Sequence, residues 1–310
     1  MAVLVAVPAW GGTPLLEQYH RLKNGHLTTL PGTSISLAST ERDGAVSAEV
    51  ITILPYPFTT LAPALAKGEN WCQFMPLHFN IKACTYALHQ GSEWLTLYSG
   101  RKTYQTPKES YALVYRFEVA HQDAGELSLH LHADSGPAGT RDYEMVVDAL
   151  KVTEGTLLHI RSSYRPSFTS SLLTSAYLST SGRDKIGFTL IAKAGKAQPV
   201  QGLRGVIERN VMRYYLAIDT FLNTQSLPDA SRHTSALQMW FKLNDSYPRQ
   251  LHEMSEQEYL EIKQREWVNQ QQLQRTLNQR QDQAAPHRLG AAGQGFESSP
   301  PTLARLPVLP

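Results

Sequence analysis

Residues 201–224, QGLRGVIERNVMRYYLAIDTFLNT, are the stretch on which the interpretation of the fold depends. Their apolar side chains recur at intervals of three and four, the pattern of one apolar face on a helix with 3.6 residues per turn. As a helix the segment would span about 36 Å, enough to cross a whole domain. Met212 and Leu216 lie on the opposite face, so we expect a second element to cover that side. The apolar stripe consists of Leu203, Val206, Ile207, Val211, Tyr214, Ile218 and Phe221.

The long helix is followed by two further helical segments and a tail. Residues 229–245 predict an amphipathic helix, and its aromatic residues Trp240 and Phe241 would cover the far side of the long helix. A capping box precedes a third predicted helix at 256–283, which is rich in glutamine and sparsely apolar. Such a helix would face solvent or bind a partner protein. Residues 284–310 have little to bury, so they predict a disordered tail.

The N-terminal part, residues 1–44, has no sustained hydrophobic period and predicts an irregular lead-in. Its apolar residues 2–9 are too few to span a bilayer. They are similar to the end of a secretory signal, although the positively charged start of such a signal is missing. A remnant of a signal would place the protein in the periplasm or outside the cell. The alternative is an ordinary buried strand in a cytoplasmic protein.

The chain has two cysteines, Cys72 and Cys84. In an exported protein an even pair of cysteines could form a disulfide, whereas in a cytoplasmic protein two buried thiols are expected. The two questions are therefore coupled: export favours the bridge, and the bridge favours export.

The middle of the chain predicts a series of antiparallel strands. Residues 45–54 alternate and predict the first strand, and two short helices separated by Gly68 follow it. Short connections with turn residues join the later strands, which indicates hairpins. These later strands are predicted at 78–87, 93–99, 111–121, 125–134, 142–152, 155–164 and 184–193.

This order of elements resembles the START-like superfamily, whose helix-grip fold occurs in lipid-transfer domains, polyketide cyclases and plant carriers of hydrophobic ligands. The resemblance covers about residues 45–224, and the chain is most similar to a bacterial branch of these proteins, which are also called SRPBCC proteins. It rests on the order of elements and on VITILPYPFTTLAPAL (50–65) and GRDKIGFTLIAK (182–193), the second leading into GLRGVIERNVMRYYLAI (202–218). The resemblance implies an α+β fold: a curved antiparallel sheet gripping the long C-terminal helix. Residues 225–283 would be a helical extension of that ligand-binding domain.

The resemblance also implies a hydrophobic cavity between sheet and helix, with a few placed polar groups. The primary hypothesis is a non-enzymatic binder or carrier of a lipid-like small molecule that makes transient contact with a membrane surface. A cyclase or aromatase using tyrosine and histidine groups is the alternative, and an interaction module working through 256–283 is the second alternative. These side chains could instead pack together and leave no cavity. The candidate ligand-binding residues are Tyr115, Phe117, Leu129, Tyr164, Tyr177, Asn210 and Tyr214.

Other chemistries find little support in the sequence. A formal net charge of +2, with no basic stripe among aromatics, argues against nucleic-acid binding. His130 and His132 share one strand face, where solvated histidines are common, so no metal is predicted. No catalytic residue and no cofactor is predicted, since GxSxG, HExxH and CxxC are missing and GPAGT (136–140) lacks the end of a phosphate loop.

Charged residues cluster at two places near the long helix. SGRDKIG (181–187) predicts a charged turn, with a cavity rim for an anionic group as the alternative. Arg204, Glu208, Arg209 and Arg213 are predicted to be solvated or paired charges on the helix surface.

Overall fold

The computed structural model describes residues 15–172, 185–193 and 195–284. The apolar segment at 2–9, Tyr177 and the tail from 285 onward lie outside the described residues. Within the described residues, eight strands form one curved antiparallel sheet around a long helix near the C-terminus. The predicted fold class is therefore confirmed. The predicted domain boundaries at 44/45 and 224/225 stay predictions.

Seven helices are labelled here, and a further helical turn begins at 168. The three C-terminal segments predicted as helices are found almost within their predicted bounds. The two short helices after the first predicted strand are present as well, and the second of them begins at Gly68. The labels are α1 (Leu15–Lys23), α2 (Phe58–Leu65), α3 (Gly68–Phe74), α4 (Gly202–Thr224), α5 (Asp229–Asp245), α6 (Pro248–Leu251) and α7 (Glu256–Ala284).

The sheet of the described residues has the spatial order β1-β2-β8-β7-β6-β5-β4-β3, and every neighbouring pair is antiparallel. The strands β1 and β3 are therefore its two edges. The strands β9 and β10 form a separate hairpin. The bounds are β1 (Ser36–Arg42), β2 (Ala45–Leu54), β3 (Ile81–His89), β4 (Ser92–Ser99), β5 (Tyr111–Gln122), β6 (Glu126–Ser135), β7 (Arg141–Val152), β8 (Gly155–Arg165), β9 (Leu190–Lys193) and β10 (Lys196–Pro199).

The prediction of an irregular lead-in is wrong for its last part, because residues 36–42 form the edge strand β1. This strand pairs with β2 along its whole length, from Ser36 opposite Ile51 to Arg42 opposite Ala45. The sequence SLASTER is rich in Ser and Thr and has few large apolar residues, so its alternation is weak. Pairing with β2, in which apolar and polar residues alternate clearly, stabilises β1, although the sequence of β1 alone shows little of the strand pattern.

The prediction of one strand over 184–193 is also wrong. Only 190–193 is a strand, and Leu190, expected inside, has 65% of its surface exposed. The N–H groups of Phe188 and Thr189 instead donate to the Glu208 carboxylate of α4, at 2.6 and 3.0 Å. A helix side chain thus satisfies the backbone groups that a neighbouring strand would have bonded. Arg183 and Asp184 of the predicted charged turn lie outside the described residues.

Helix α4 is buried on both sides. One side packs on β1, β2 and β8, and the other packs on α5. Met212 and Leu216 are buried in the same core as Trp240 and Phe241 of α5, as expected. The indole of Trp240 also donates to the backbone oxygen of Arg213 at 3.2 Å. The helix is therefore held by neighbours around nearly its whole circumference.

Glu208, Arg204 and Arg213 on the flank of α4 are paired, as one of the two predicted alternatives has it. The predicted position on the helix surface is wrong for three of the four charges, because they are buried. Glu208, Arg209 and Arg213 are all buried, and Glu208 has no exposed surface. Arg213 donates to a Glu253 oxygen at 2.6 Å and to the Leu251 backbone oxygen at 3.2 Å. The sequence shows which residues flank the helix, but not that α6 and the segment after it fold back over that flank. Buried charges of this kind require such partners.

The glutamine-rich helix α7 covers the edge strand β3 with side-chain hydrogen bonds to backbone groups. Gln270 accepts from the Cys84 N–H at 2.7 Å and donates to the Cys72 oxygen at 2.9 Å. Gln274 accepts from the Tyr86 N–H and donates to the Tyr86 oxygen, both at 2.8 Å. Four helical residues rise by about 6 Å and two strand residues by about 6.7 Å, so the two spacings nearly match.

The same helix face reaches both ends of β3. Near its start, the Lys263 ammonium donates to the oxygens of His78 and Ile81 at 2.8 and 2.7 Å. Near its end, Gln281 donates to the Leu88 oxygen at 3.2 Å. We call these four side chains of α7 (Lys263, Gln270, Gln274 and Gln281) the edge ladder. An uncovered edge strand invites pairing with other chains, and the edge ladder prevents this at β3.

A buried ion cluster fixes α7 to the start of β3. The ammonium of Lys82 lies 2.9 Å from one Glu266 oxygen, and that of Lys263 lies 2.8 Å from the other. The side chain of Lys82 is 0% exposed, that of Lys263 is 3% exposed and that of Glu266 is 2% exposed. Burial lowers the pKa of Lys263 to about 8, although Glu266 opposes that shift. We refer to Lys82, Lys263 and Glu266 as the ion cluster.

Cys72 of α3 and Cys84 of β3 are joined by a disulfide in the structure, with their Cα atoms 4.9 Å apart. Both residues are buried. Gln270 of the edge ladder forms hydrogen bonds with the backbone of both cysteines, so the edge ladder contacts the chain at the disulfide. The cellular compartment stays a prediction. None of the described helices combines the length and apolar character needed to cross a bilayer.

Candidate functional site

At one end, the interior between the sheet and α4 is filled by packed aromatic rings. The rings of Phe74 and Phe221 lie 5.1 Å apart, and those of Trp71 and Phe117 lie 5.7 Å apart. Phe117 and Leu129, two of the predicted ligand-binding residues, are buried in this core. The structure therefore places both among packed side chains.

The other end carries four tyrosines, Tyr115, Tyr143, Tyr164 and Tyr214, which we call the phenol cluster. The rings of Tyr143 and Tyr164 are stacked at 5.2 Å, and those of Tyr115 and Tyr143 are perpendicular at 6.5 Å. Tyr143 pairs in register with the small residue Ala133 of β6. Three of the tyrosines thus project from one end of the sheet, and Tyr214 projects from α4.

The hydroxyl groups of the phenol cluster are mostly unpaired. Among the described residues, Tyr143 bonds to the Thr140 hydroxyl at 2.8 Å, whereas the hydroxyls of Tyr115, Tyr164 and Tyr214 have no partner. Tyr115 is only 5% exposed. None of these three oxygens is among the described polar atoms that are fully buried without a partner, so each keeps some accessible surface. A molecule from solvent can therefore reach them.

Burial controls the protonation of these phenols. Removal from water raises the pKa of Tyr115 well above its ordinary value, and it also raises the pKa of Tyr214 and Tyr164. Nearby phenols add to the effect in each case. The hydroxyls therefore stay protonated at neutral pH and can donate hydrogen bonds.

His78 and Asn210 adjoin the phenol cluster. The imidazole of His78 lies 5.4 Å from the Tyr214 ring, and its Nδ1 accepts from the Asn80 N–H at 3.1 Å. The proton of the neutral ring is therefore on Nε2, which is buried and has no well-formed hydrogen bond within the described residues. Asn210 is the side chain that approaches this imidazole. Burial, followed by the charge of Arg213, lowers the pKa of His78 well below its usual value.

Of the predicted ligand-binding residues, the structure brings Tyr115, Tyr164, Asn210 and Tyr214 together, while Tyr177 lies outside the described residues. Sequence reasoning missed Tyr143 and His78. Tyr143 could have been found, because it lies on the same alternating face as the buried Met145 and Val147. The position of His78 depends on the contact of its segment with α4, which no local pattern reveals.

The histidines considered as metal ligands lie on the outer face of the sheet. His132 is exposed and bonds to Asp134 and Glu144, at 2.9 and 3.0 Å. Among the described residues, no three or more His, Cys, Asp and Glu side chains are grouped in a way that could hold a metal ion. His159, in contrast, is 9% exposed and lies between Glu49 at 3.0 Å and Asp148 at 3.4 Å.

The charge of His159 is expected to make stability depend on pH. Burial lowers its pKa, but the hydrogen bonds and charges of Asp148 and Glu49 outweigh that effect, so the pKa lies above 6.5. Its stabilisation is therefore complete below the unfolded pKa and is lost as pH rises through the folded one. We expect His159→Gln to cost about 1.5–3 kcal/mol near pH 6 and distinctly less near pH 9, measured by urea unfolding.

The matched control for that prediction is His121→Gln, which changes an exposed histidine paired with Asp123 on the surface. Its effect should be small at both pH values. An equal loss of stability for His159→Gln at both pH values would show that the ring contributes by packing alone.

Comparison with known proteins reveals likeness at the level of fold only. No family model and no curated protein matches the chain. CalU16 from Micromonospora echinospora is 12% identical over 68% of this chain and 98% of its own, with a TM-score of 0.30. A STAR-related lipid transfer protein from Xanthomonas axonopodis is 14% identical over 47% of this chain and 91% of its own, with a TM-score of 0.32.

A cyclase is also among the similar structures. The di-domain ARO/CYC StfQ from the steffimycin biosynthetic pathway is 9% identical over 66% of this chain and 51% of its own, with a TM-score of 0.31. A lipid-transfer protein and a cyclase are two of the classes that the sequence resemblance names. Because the identities and TM-scores are low, the helix-grip assignment rests on the strand order of the chain itself.

Proposed function

We propose that the protein binds a hydrophobic small molecule at the phenol cluster, between α4 and the end of the sheet. The observation that carries this proposal is a set of three hydroxyls, those of Tyr115, Tyr164 and Tyr214. They have no hydrogen-bond partner among the described residues but keep some accessible surface, beside an otherwise packed core. Ligand sites of this kind are mostly apolar, with a few polar groups that orient the ligand. Binding or carriage, rather than a reaction, is the function that this arrangement supports best.

The location at this end has a physical reason. Tyr164, Tyr214 and Asn210 keep part of their surface accessible, although they adjoin buried residues. At the end filled by aromatic rings, in contrast, the rings of Phe74 and Phe221 pack against each other. Ala133, which pairs with Tyr143, contributes only a methyl group to the row of tyrosines.

A cyclase or aromatase would need a group that gains or loses a proton near neutral pH. Within the described residues the phenols of the cluster have raised pKa values, and His78 has a lowered one. None of these groups changes its protonation near neutral pH. The described residues therefore favour a binder, and the cyclase hypothesis stays the alternative.

A larger side chain at position 133 should weaken binding. We expect Ala133→Val and Ala133→Leu to weaken binding progressively, the larger change by about tenfold or more, which is about 1.4 kcal/mol. Binding is measured by native mass spectrometry and by displacement of a fluorescent fatty probe across a lipid panel. The extra methyl groups cost about 1–3 kcal/mol of stability, so thermal unfolding is recorded for each variant.

Ala112→Leu serves as the control, because Ala112 lies on β5 next to Tyr111, outside the buried core, and is only partly buried. It should bind like the wild type. A wild-type protein that binds no apolar molecule in the panel would overturn the proposal. A folded Ala133→Leu protein with unchanged affinity would remove the site from this end of the sheet.

Contact with a membrane surface, a protein partner for 256–283 and a periplasmic location all stay predictions. The edge ladder occupies one face of α7, so a partner protein would have to use the other face.

A further inference from the structure

We propose that the polar group of the ligand is an uncharged hydrogen-bond acceptor, such as the carbonyl oxygen of a ketone, ester or amide. This inference rests on the proposed function and names the class of molecule that the same site would take. It starts from the hydrogen-bonding character of the groups that line the phenol cluster.

The unpaired groups of the site can all donate hydrogen bonds. The hydroxyls of Tyr115, Tyr164 and Tyr214 have no partner in the described part of the chain, and each carries a proton at neutral pH. The Nε2–H of His78 is a buried donor that Asn210 approaches without a well-formed hydrogen bond. It is the only N–H of the neutral ring, since Nδ1 accepts from Asn80. A ligand oxygen with two lone pairs would satisfy two of these donors at once.

A ligand anion would lack a counter-ion at this place. Lys263 and Lys102 act on His78, and they already pair with Glu266 and Glu253. Arg213 acts on both His78 and Tyr214, and its guanidinium bonds to Glu253 at 2.6 Å. Arg213 also contacts the Leu251 oxygen at 3.2 Å and the Phe79 ring, whose centroid lies 5.3 Å from Cζ. Burying a carboxylate without a paired cation costs roughly several kcal/mol of binding free energy, and uncharged hydrogen-bond donors offset only part of that cost.

A ligand cation would be equally unsuited. A buried ammonium group needs a counter-charge, and the buried Glu208 carboxylate already accepts from the Ser39 hydroxyl at 2.5 Å and from Phe188 and Thr189. The phenol oxygens can accept a hydrogen bond but carry no charge, and Glu41, the carboxylate that acts on Tyr164, is exposed to water. The geometry therefore selects for a neutral oxygen at the end of an apolar body.

The test uses four molecules with the same twelve-carbon chain: a methyl ketone, the carboxylate, the alkylammonium and the plain alkane. Each competes with a neutral fluorescent probe on the full-length protein at neutral pH. We expect the ketone to bind at least about tenfold more tightly than either ion and about threefold to tenfold more tightly than the alkane.

Variants then connect the preference to the phenols. Tyr214→Phe and Tyr115→Phe should weaken ketone binding by about threefold to tenfold and leave alkane binding unchanged. Tyr98→Phe is the control, because Tyr98 is a buried tyrosine of β4 outside the core that α4 covers. It should change neither affinity.

The outcomes separate this inference from the proposed function. If none of the four molecules binds, the proposed function fails. If the alkane or an ion binds as tightly as the ketone, or if the phenylalanine variants affect ketone and alkane equally, the protein remains a binder and the inference about the carbonyl is overturned.

Discussion

Replacing Glu266 with leucine is expected to destabilise the protein by about 3–5 kcal/mol, measured by urea unfolding at neutral pH. Glu266 is the only carboxylate within the ion cluster, and it faces Lys82 at 2.9 Å and Lys263 at 2.8 Å. Without it, two buried ammonium groups would have no counter-charge and would repel each other. A loss of this size is a large share of the stability of an ordinary domain.

The control is Glu261→Leu on the same helix, because Glu261 is exposed and bonds only to Gln257 at 2.9 Å. It should change stability by less than about 0.5 kcal/mol. The double variant Lys82→Met/Glu266→Leu should recover part of the loss, since one unpaired charge is gone. A loss below about 1 kcal/mol for Glu266→Leu would mean that water reaches the ion cluster.

Removing the two central glutamines of the edge ladder should uncover β3. In Gln270→Ala/Gln274→Ala, the N–H and oxygen of Tyr86, the N–H of Cys84 and the oxygen of Cys72 all lose their partners. Each buried group left unpaired costs about 1–3 kcal/mol. We expect faster hydrogen exchange at the Cys84 and Tyr86 amides, lower stability and concentration-dependent association seen by light scattering.

The matched control is Gln272→Ala/Gln279→Ala, which removes two exposed glutamines from the same helix. Its exchange rates at β3 should equal those of the wild type, and it should stay as dispersed as the wild type. Unchanged exchange at Cys84 and Tyr86 in the double variant of the edge ladder would show that α7 shields the edge by position alone.

The fold was predictable where the pattern is local. The three-and-four spacing of residues 201–224 and the alternation of 45–54 predict α4 and β2, and the structure confirms both. Prediction failed where a distant group decides the structure. Phe188 is outside any strand because Glu208 of α4 takes its backbone N–H, and β1 exists because β2 offers it an edge.

The candidate site was predictable in outline only. Alternation along β5 and β8 marks Tyr115 and Tyr164 as inward residues, and the structure places them beside Tyr214. Alternation alone does not say whether an inward side chain is packed, as Phe117 is, or has a hydroxyl without a partner. Likewise, the glutamine spacing of α7 is visible in the sequence, but its target, the backbone of β3, is not.

The enclosure of α4 on two sides has a consequence for how the protein would discriminate between molecules of different bulk. Helix α4 packs between the sheet and α5, and Glu208 and Arg213 bond it to neighbouring segments. At the proposed site we therefore expect α4 not to move outward for a larger ligand. At the proposed site, the size of the ligand would then depend on the row of side chains on the sheet, in which Ala133 is smaller than its partner Tyr143. Related chains with a bulkier or smaller residue at that one position should accept shorter or longer cargo on an unchanged scaffold.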